Sequence, residues 1–79
     1  MKICVRFFAA FREITGVETE VVETTAASPA GLFEECTRRY AGLQNYSSSM
    51  VAINDEMAQW DSMLSEGDEV LFFPPVAGG

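Results

Sequence analysis

The chain has 79 residues, is 48% hydrophobic and carries a net charge of −7 at neutral pH. A chain of this length forms one small domain that buries only about 60% of its unfolded surface, which leaves little room for an enclosed active site. The negative charge argues against nucleic acids and anionic membranes as partners, because both are bound through clustered Lys and Arg side chains. It favours a partner protein with a basic surface.

The absence of histidine and the spacing of the cysteines exclude further kinds of catalytic and metal site. The sequence contains no histidine, which excludes Ser-His-Asp and Cys-His catalysis by this chain alone. Cys4 and Cys36 lack the spacing of a redox or zinc motif, and we interpret both as reduced structural thiols. No apolar run approaches the ~20 residues of a membrane span, and residues 7–11 are too few for a signal peptide core. We therefore expect a cytoplasmic protein that binds no metal and no cofactor.

The first part of the chain predicts a β-hairpin. Residues 2–8 are rich in β-branched and aromatic side chains, with Ile3, Val5 and Phe7 on one face. A loop or short helical turn at residues 12–15 ends at Gly16, and a second strand follows at residues 17–24. We expect the two strands to pair.

One amphipathic helix is predicted from residue 29 to about residue 41. Ser28 is suited to the N-cap and Pro29 to the first helical position. Gly42 is suited to the C-terminal stop. An apolar stripe at helical spacing predicts that the helix lies across a sheet; it consists of Leu32, Phe33, Cys36 and Tyr40.

The last part of the chain supplies the remaining strands. Residues 50–54 predict a third strand, and a turn leads to a short return strand at residues 57–60. Residues 62–68 predict an irregular or 3₁₀ connection, with Gly67 available for positive φ. The apolar run in the final strand, residues 69–73, predicts an interior position. The fold class is therefore α+β, with a mixed sheet of four to five strands clasping one main helix.

Several large apolar side chains cannot all face that helix, because side chains alternate across a strand. The set comprises Phe8, Met57, Trp60 and one of Phe72 or Phe73. Two alternatives follow: an exposed protein interface near the chain end, or a cover formed by the segment around Met63 and Leu64. In the first alternative, Phe73 and Pro75 are the best candidates for partner contacts.

The chain end carries the most informative motif. Pro74 and Pro75 stop the last strand and direct the end outward. Gly78 and Gly79 have no side chains, so the end can enter a narrow channel. A terminal carboxylate is ionised at neutral pH and is a poor electrophile, so chemistry there requires activation, for which ATP-driven adenylation is the obvious route. We predict a folded domain at residues 1–74 and an extended tail at residues 75–79.

With these motifs the sequence resembles the small subunits of molybdopterin synthase, a family of ubiquitin-like β-grasp sulfur carriers. The resemblance rests on Phe-Phe-Ala-Ala-Phe-Arg-Glu at residues 7–13 with Gly16, on Val-Ala-Ile-Asn at residues 51–54, on Gly-Asp-Glu-Val at residues 67–70 and on Phe-Phe-Pro-Pro-Val-Ala-Gly-Gly at residues 72–79. The chain departs from many relatives in having Ser65 and Glu66 where they have Lys and Asp. This departure leaves open the charge pattern that the chain presents to its partners.

The resemblance implies that Gly79 is a covalent carrier. A ubiquitin-activating-like enzyme would use ATP to adenylate its carboxylate, and a sulfur donor would convert the adenylate to a thiocarboxylate. The sulfur would then pass to a cyclic pyranopterin phosphate in the large subunit, during molybdenum cofactor biosynthesis in an assembly of two small and two large subunits. The chain itself would be a non-catalytic subunit, and ATP would be bound by its partner. The residues implied to contact partners are Phe73, Pro74, Pro75, Val76, Ala77 and Gly78.

Two other functions use the same chain end. One is a sulfur carrier for another pathway, such as thiamine or cysteine synthesis. The other is a ubiquitin-like protein modifier, joined through Gly79 to lysines of target proteins. The amino-terminal Phe-Phe pair and the Phe-Pro-Pro exit favour the pterin pathway.

Overall fold

The structure, a computed structural model, describes residues 1–45 and 49–74. Five strands form one mixed sheet in the order β2-β1-β5-β3-β4. β1 and β5 are parallel, and the other neighbouring strands are antiparallel. The elements are β1 (Lys2–Phe7), α1 (Ala10–Thr15), β2 (Thr19–Glu23), α2 (Pro29–Arg39), a 3₁₀ helix (Ala41–Asn45), β3 (Met50–Ile53), β4 (Glu56–Met57) and β5 (Glu69–Phe73). No helix in these two ranges is long and apolar enough to cross a membrane.

The sheet confirms the predicted hairpin and the predicted position of the last strand. β1 pairs with β2, and Ile3, Val5 and Phe7 are buried on one face. β5 lies between β1 and β3, with Val70 and Phe72 fully buried. The continuous apolar run in β5 therefore reflects a strand flanked on both edges, at the centre of the domain.

Helix α2 begins as predicted and ends earlier. The Ser28 hydroxyl accepts a hydrogen bond from the Gly31 N–H at 3.3 Å, and Pro29 occupies the first helical position. The helix ends at Arg39, and the Tyr40 N–H donates to the Cys36 carbonyl at 2.8 Å. The prediction that Gly42 stops the helix is therefore wrong, because the chain turns into a 3₁₀ helix one residue after Tyr40.

Gly42 has a different role, which depends on packing. A Cβ atom at this position would lie 2.8 Å from Cγ2 of Ile14 in α1. Glycine thus allows the 3₁₀ helix to approach α1, and the adjacent Leu43 is fully buried.

Replacing Gly42 with alanine is expected to lower the free energy of unfolding by about 1–3 kcal/mol, because the added methyl overpacks the contact with Ile14. Urea unfolding monitored by Trp60 fluorescence measures the change. In an Ile14→Ala background the same substitution should cost less, since the obstructing methyl is gone. Equal costs in both backgrounds would show that the contact does not limit residue 42.

The connections between helices and strands agree in part with the turns predicted from the sequence. Gly16 caps α1 at φ 78°, and Gly67 has φ 84°, as predicted. Asn54 and Asp55 both have positive φ, which is the geometry of a tight two-residue hairpin. The return strand β4 covers only Glu56–Met57 and not residues 57–60, because Trp60 turns toward the helix side of the sheet.

Both cysteines are free, and Cys36 lies on the buried face of α2, in the core. Burial raises the pKa of the Cys36 thiol to about 11. The side chain therefore remains a neutral thiol at physiological pH, which agrees with a structural role.

Raising the pH from about 8 to about 11 is expected to lower the free energy of unfolding by about 2–3 kcal/mol through Cys36. The unfolded thiol ionises near pH 8.5, whereas the folded thiol has its pKa raised to about 11 by burial. The stabilisation is thus complete below about pH 8.5 and is lost as the pH approaches 11. Desolvation also raises the pKa of Tyr40, which adds a change in the same direction.

Urea titrations across this pH range test the assignment. Cys36→Ala should remove most of the alkaline slope, and Cys4→Ala should retain it. An unchanged slope in Cys36→Ala would assign the pH dependence to other groups.

Candidate functional site

The central strand of the sheet leads to the predicted tail. β5 ends at Phe73, which is half-buried and pairs with Met50 of β3, and half-buried Pro74 follows. Of the predicted site residues, only these two lie within the described ranges. The others, Pro75, Val76, Ala77, Gly78 and Gly79, lie outside them, so their roles and the predicted division at residue 74 stay predictions.

α2 covers one face of the sheet, and no helix within residues 1–45 and 49–74 covers the other. Leu71 is the register partner of both Arg6 and Ala52, and Ala52 is also the partner of Met57. These residues form a row across four strands on the face opposite the helix. A second row, next to the end of β5 where the predicted tail begins, contains Phe8, Met50 and Phe73. We call the apolar part of both rows the open face, which consists of Phe8, Met50, Ala52, Met57, Leu71 and Phe73.

Much of the open face is exposed. Phe8 is 54% exposed, Met57 62% and Met50 38%, while Leu71 and Phe73 are half-buried. An apolar surface of this kind on a small domain is typical of a protein interface. It adjoins Pro74, so a partner that covers it would also contact the start of the predicted tail.

The alternative in which residues near Met63 and Leu64 cover this face is wrong. Leu64 is buried on the helix side, and its N–H donates to the Ala27 carbonyl at 2.9 Å. Met63 is 86% exposed. This segment therefore packs beside the start of α2, away from the open face.

Trp60, one of the residues predicted as candidates for exposure, also lies on the helix side. Its ring stacks on Phe72 at a centroid distance of 5.9 Å, and it meets Phe33 edge-on at 5.5 Å. The Trp60 carbonyl accepts a hydrogen bond from the Ala30 N–H at 3.0 Å. Trp60 is thus partly buried and packs against the core between α2 and the sheet.

Polar groups adjoin the open face in opposite-charge pairs. Arg6 Nη1 lies 3.2 Å from Glu69 Oε1, and Arg12 Nη1 lies 3.2 Å from Glu18 Oε1. The Arg12–Glu18 pair is well exposed and the Arg6–Glu69 pair is partly exposed, so each pair contributes little stability and is accessible to a partner. Sequence reasoning did not select Arg6, although its alternation with Val5 and Phe7 was a usable signal.

No group of three or more potential metal ligands occurs among the described residues. The exposed apolar side chains of the open face are suited to contact with another protein.

Comparisons with known proteins agree with this geometry. A family model described as the ThiS family matches residues 5–79. The chain belongs to the ThiS family. A comparison with individual proteins adds relatives. One is the molybdopterin synthase sulfur carrier subunit of Haemophilus influenzae, which is 35% identical over 78 residues, with 95% of this chain and 96% of the relative covered.

Solved structures extend the ThiS family comparison. The putative molybdopterin converting factor subunit 1 of Pyrococcus furiosus is 33% identical with a TM-score of 0.82, covering 95% of this chain and 98% of its own. A chain in the complex of subunits 1 and 2 of the molybdopterin-converting factor of Helicobacter pylori is 27% identical with a TM-score of 0.68, and both chains are covered completely. The resemblance to molybdopterin synthase small subunits and the ubiquitin-like β-grasp fold are thereby confirmed.

Proposed function

We propose that this chain is a sulfur carrier and the small subunit of a molybdopterin synthase. The observation that carries the proposal is the 35% identity, over nearly the whole of both chains, to the sulfur carrier subunit of Haemophilus influenzae. The apolar open face beside Pro74 supports it, because a carrier must dock in one orientation for its end to enter a partner's active site.

Gly79 is the covalent site in this proposal. A carboxylate oxygen of Gly79 attacks the α-phosphorus of ATP in an activating enzyme, which forms an acyl-adenylate and releases pyrophosphate. A hydrosulfide equivalent from a sulfur donor then attacks the carbonyl carbon, and AMP leaves. The product is a thiocarboxylate, whose sulfur is a better nucleophile than a carboxylate oxygen.

Delivery requires a large-subunit partner. The open face docks on the large subunit, and residues 73–78 guide the thiocarboxylate to a cyclic pyranopterin phosphate. Each sulfur transferred returns Gly79 to a carboxylate after hydrolysis, and two transfers complete one dithiolene. The partners supply the ATP site, the acids and the bases, in keeping with the absence of histidine from the sequence.

Intact-protein mass spectrometry tests the proposal. The chain is incubated with ATP, an activating enzyme and a sulfur donor, with and without the large subunit and pterin precursor. We expect one terminal oxygen to be replaced by sulfur, and the change to be reversed only when both large subunit and precursor are present.

Other results would select the alternatives. Sulfur loading without this discharge would point to another acceptor pathway, such as thiamine or cysteine synthesis. Adducts linked to lysines of other proteins, without thiocarboxylate, would point to a protein modifier.

A further inference from the structure

The outer edge of β2 has no strand beside it in the two ranges that the structure describes. Its inner edge pairs with β1. The Phe7 N–H donates to the Glu18 carbonyl at 2.9 Å, and the Thr24 N–H donates to the Met1 carbonyl at 2.9 Å. These two bonds fix which backbone groups of β2 are used by the sheet.

Hydrogen-bonded pairs alternate along an antiparallel ladder. With the observed register, Glu20 and Val22 direct their N–H and C=O groups toward β1. The N–H and C=O groups of Thr19, Val21 and Glu23 therefore point away from the sheet. Such an edge is a template for an additional strand.

A groove runs beside this edge, between β2 and α2, with a volume of about 450 Å³. Its floor is apolar, formed in part by Val22, Leu32 and Cys36. Side chains of an added strand that point to the helix side would enter this groove. The groove has charged residues at both ends, so the two possible directions of a bound strand would make different ionic contacts.

The end of the groove near the finish of β2 is acidic. Glu35 lies there and accepts a hydrogen bond from the Thr24 hydroxyl at 2.6 Å. The opposite end is basic and contains Arg38 and Arg39. Arg39 binds Glu20 through two nitrogens, at 2.9 and 3.3 Å, and is largely neutralised.

Arg38 is the more available cation at the basic end. It pairs with Glu34 one helical turn away, at 2.8 Å, and both side chains are about 70% exposed. A pair of this kind is worth well under 1 kcal/mol and is easily exchanged for a new partner.

We propose that the β2 edge and the adjoining groove bind an extended segment of a partner protein, which adds to the sheet as a further strand. The segment has alternating apolar side chains that enter the groove, an acidic side chain at Arg38 and a basic side chain at Glu35. Backbone hydrogen bonds to Thr19, Val21 and Glu23 supply affinity, and the groove supplies specificity. The proposal does not depend on the sulfur-carrier function.

A second copy of this chain is a poor occupant. Pairing β2 with β2 would bring Glu18, Glu20 and Glu23 of both copies together, and each chain carries a net charge of −7. β2 is also separated from β5 by β1. A segment bound outside β2 lies three strand spacings, about 14 Å, from β5 and does not obstruct the end of that strand.

A synthetic peptide of about eight residues tests the proposal. It has alternating valine and threonine, a glutamate at one end and two lysines at the other, and it is made in both sequence directions. Titration of the ¹⁵N-labelled chain is followed by amide chemical shifts. We expect saturable shifts at Val21, Glu23 and the groove residues for one direction, with little change at Leu71 and Phe73.

Two variants at one position provide the matched comparison. Val21→Pro removes an outward N–H that the sheet does not use, and should weaken peptide binding about tenfold. Val21→Thr keeps the N–H and the β-branched side chain, and should bind like the original chain. Circular dichroism verifies that both variants fold. Should Val21→Pro not fold, N-methylation of the peptide's edge-facing amides replaces it and should abolish binding.

Arg38→Glu tests the assigned direction. It should weaken binding of the glutamate-bearing peptide about fivefold and strengthen binding of a version with lysine in place of glutamate. Absence of saturable binding, shifts confined to the open face, or equal affinity for Val21→Pro and Val21→Thr would overturn the proposal. Concentration-dependent shifts of the chain alone at β2 would overturn it in favour of self-association.

Discussion

Deleting Gly79 is expected to abolish detectable sulfur loading while changing the free energy of unfolding by less than about 0.5 kcal/mol. The deletion moves the terminal carboxylate back by about 3.5 Å, which removes it from the position in which a partner enzyme activates it. The described domain should not respond, because its core is complete by Phe72. Mass spectrometry after incubation with ATP, activating enzyme and sulfur donor measures loading, and urea unfolding measures stability.

Met63→Ala is the control for that deletion. It changes an exposed residue away from the open face without shortening the chain, and should load normally. A Gly79 deletion that still accepts sulfur at Gly78 would show that the position of the carboxylate is not decisive. A deletion that loses cooperative unfolding would show that the tail contributes to the fold.

Replacing Phe8 with aspartate is expected to weaken binding of the large synthase subunit at least about a hundredfold. Phe8 is 54% exposed on the open face beside the chain exit, where a large aromatic side chain is the usual anchor of an interface. A buried unpaired carboxylate at that position would oppose binding further. Calorimetric titration with the large subunit measures the dissociation constant.

Two methionines provide a matched pair for this experiment. Met57 is 62% exposed on the open face, and Met63 is 86% exposed beside the start of α2. Met57→Asp should weaken binding about tenfold, whereas Met63→Asp should change it less than about twofold. Equal effects of the two substitutions would mean that general charge, and not the open face, controls the association.

Much of the fold could be predicted because local signals and tertiary packing agree. Ser28 and Pro29 begin α2 as expected, Gly67 adopts positive φ, and β5 has the predicted bounds at the centre of the sheet. In each case the residue that favours the local conformation is also the one that the packing accommodates.

The errors occur where distant residues decide the outcome. Gly42 is compatible with a helix stop, but its contact with Ile14 of α1 explains its presence. Trp60 follows a short strand in sequence, yet it leaves the sheet to stack on Phe72. Neither contact has a signature within a few residues along the chain.

Only part of the candidate site could be predicted, because some of its residues are brought together by pairing between strands that are distant in sequence. Alternation along single strands predicts that Phe8, Met57, Trp60 and one of Phe72 or Phe73 cannot all face the helix, but it does not select which of them face away. The structure places Phe8 and Met57 on the opposite face. Adding Leu71 and Met50 to the same surface required the register between β5 and β3. Gly79 remains a prediction, because the argument for it rests on the chemistry of a free carboxylate and on the relatives.

The central position of β5 links folding to biosynthesis. Among the described residues Glu69–Phe73 is the strand that comes last in the sequence, and it joins the β1–β2 hairpin to the β3–β4 hairpin. A nascent chain that stops before residue 69 lacks Val70 and Phe72, so the sheet cannot close and the core cannot form. Such a fragment remains unfolded and is open to proteolysis. Proteolysis would therefore select for molecules that contain the complete strand β5.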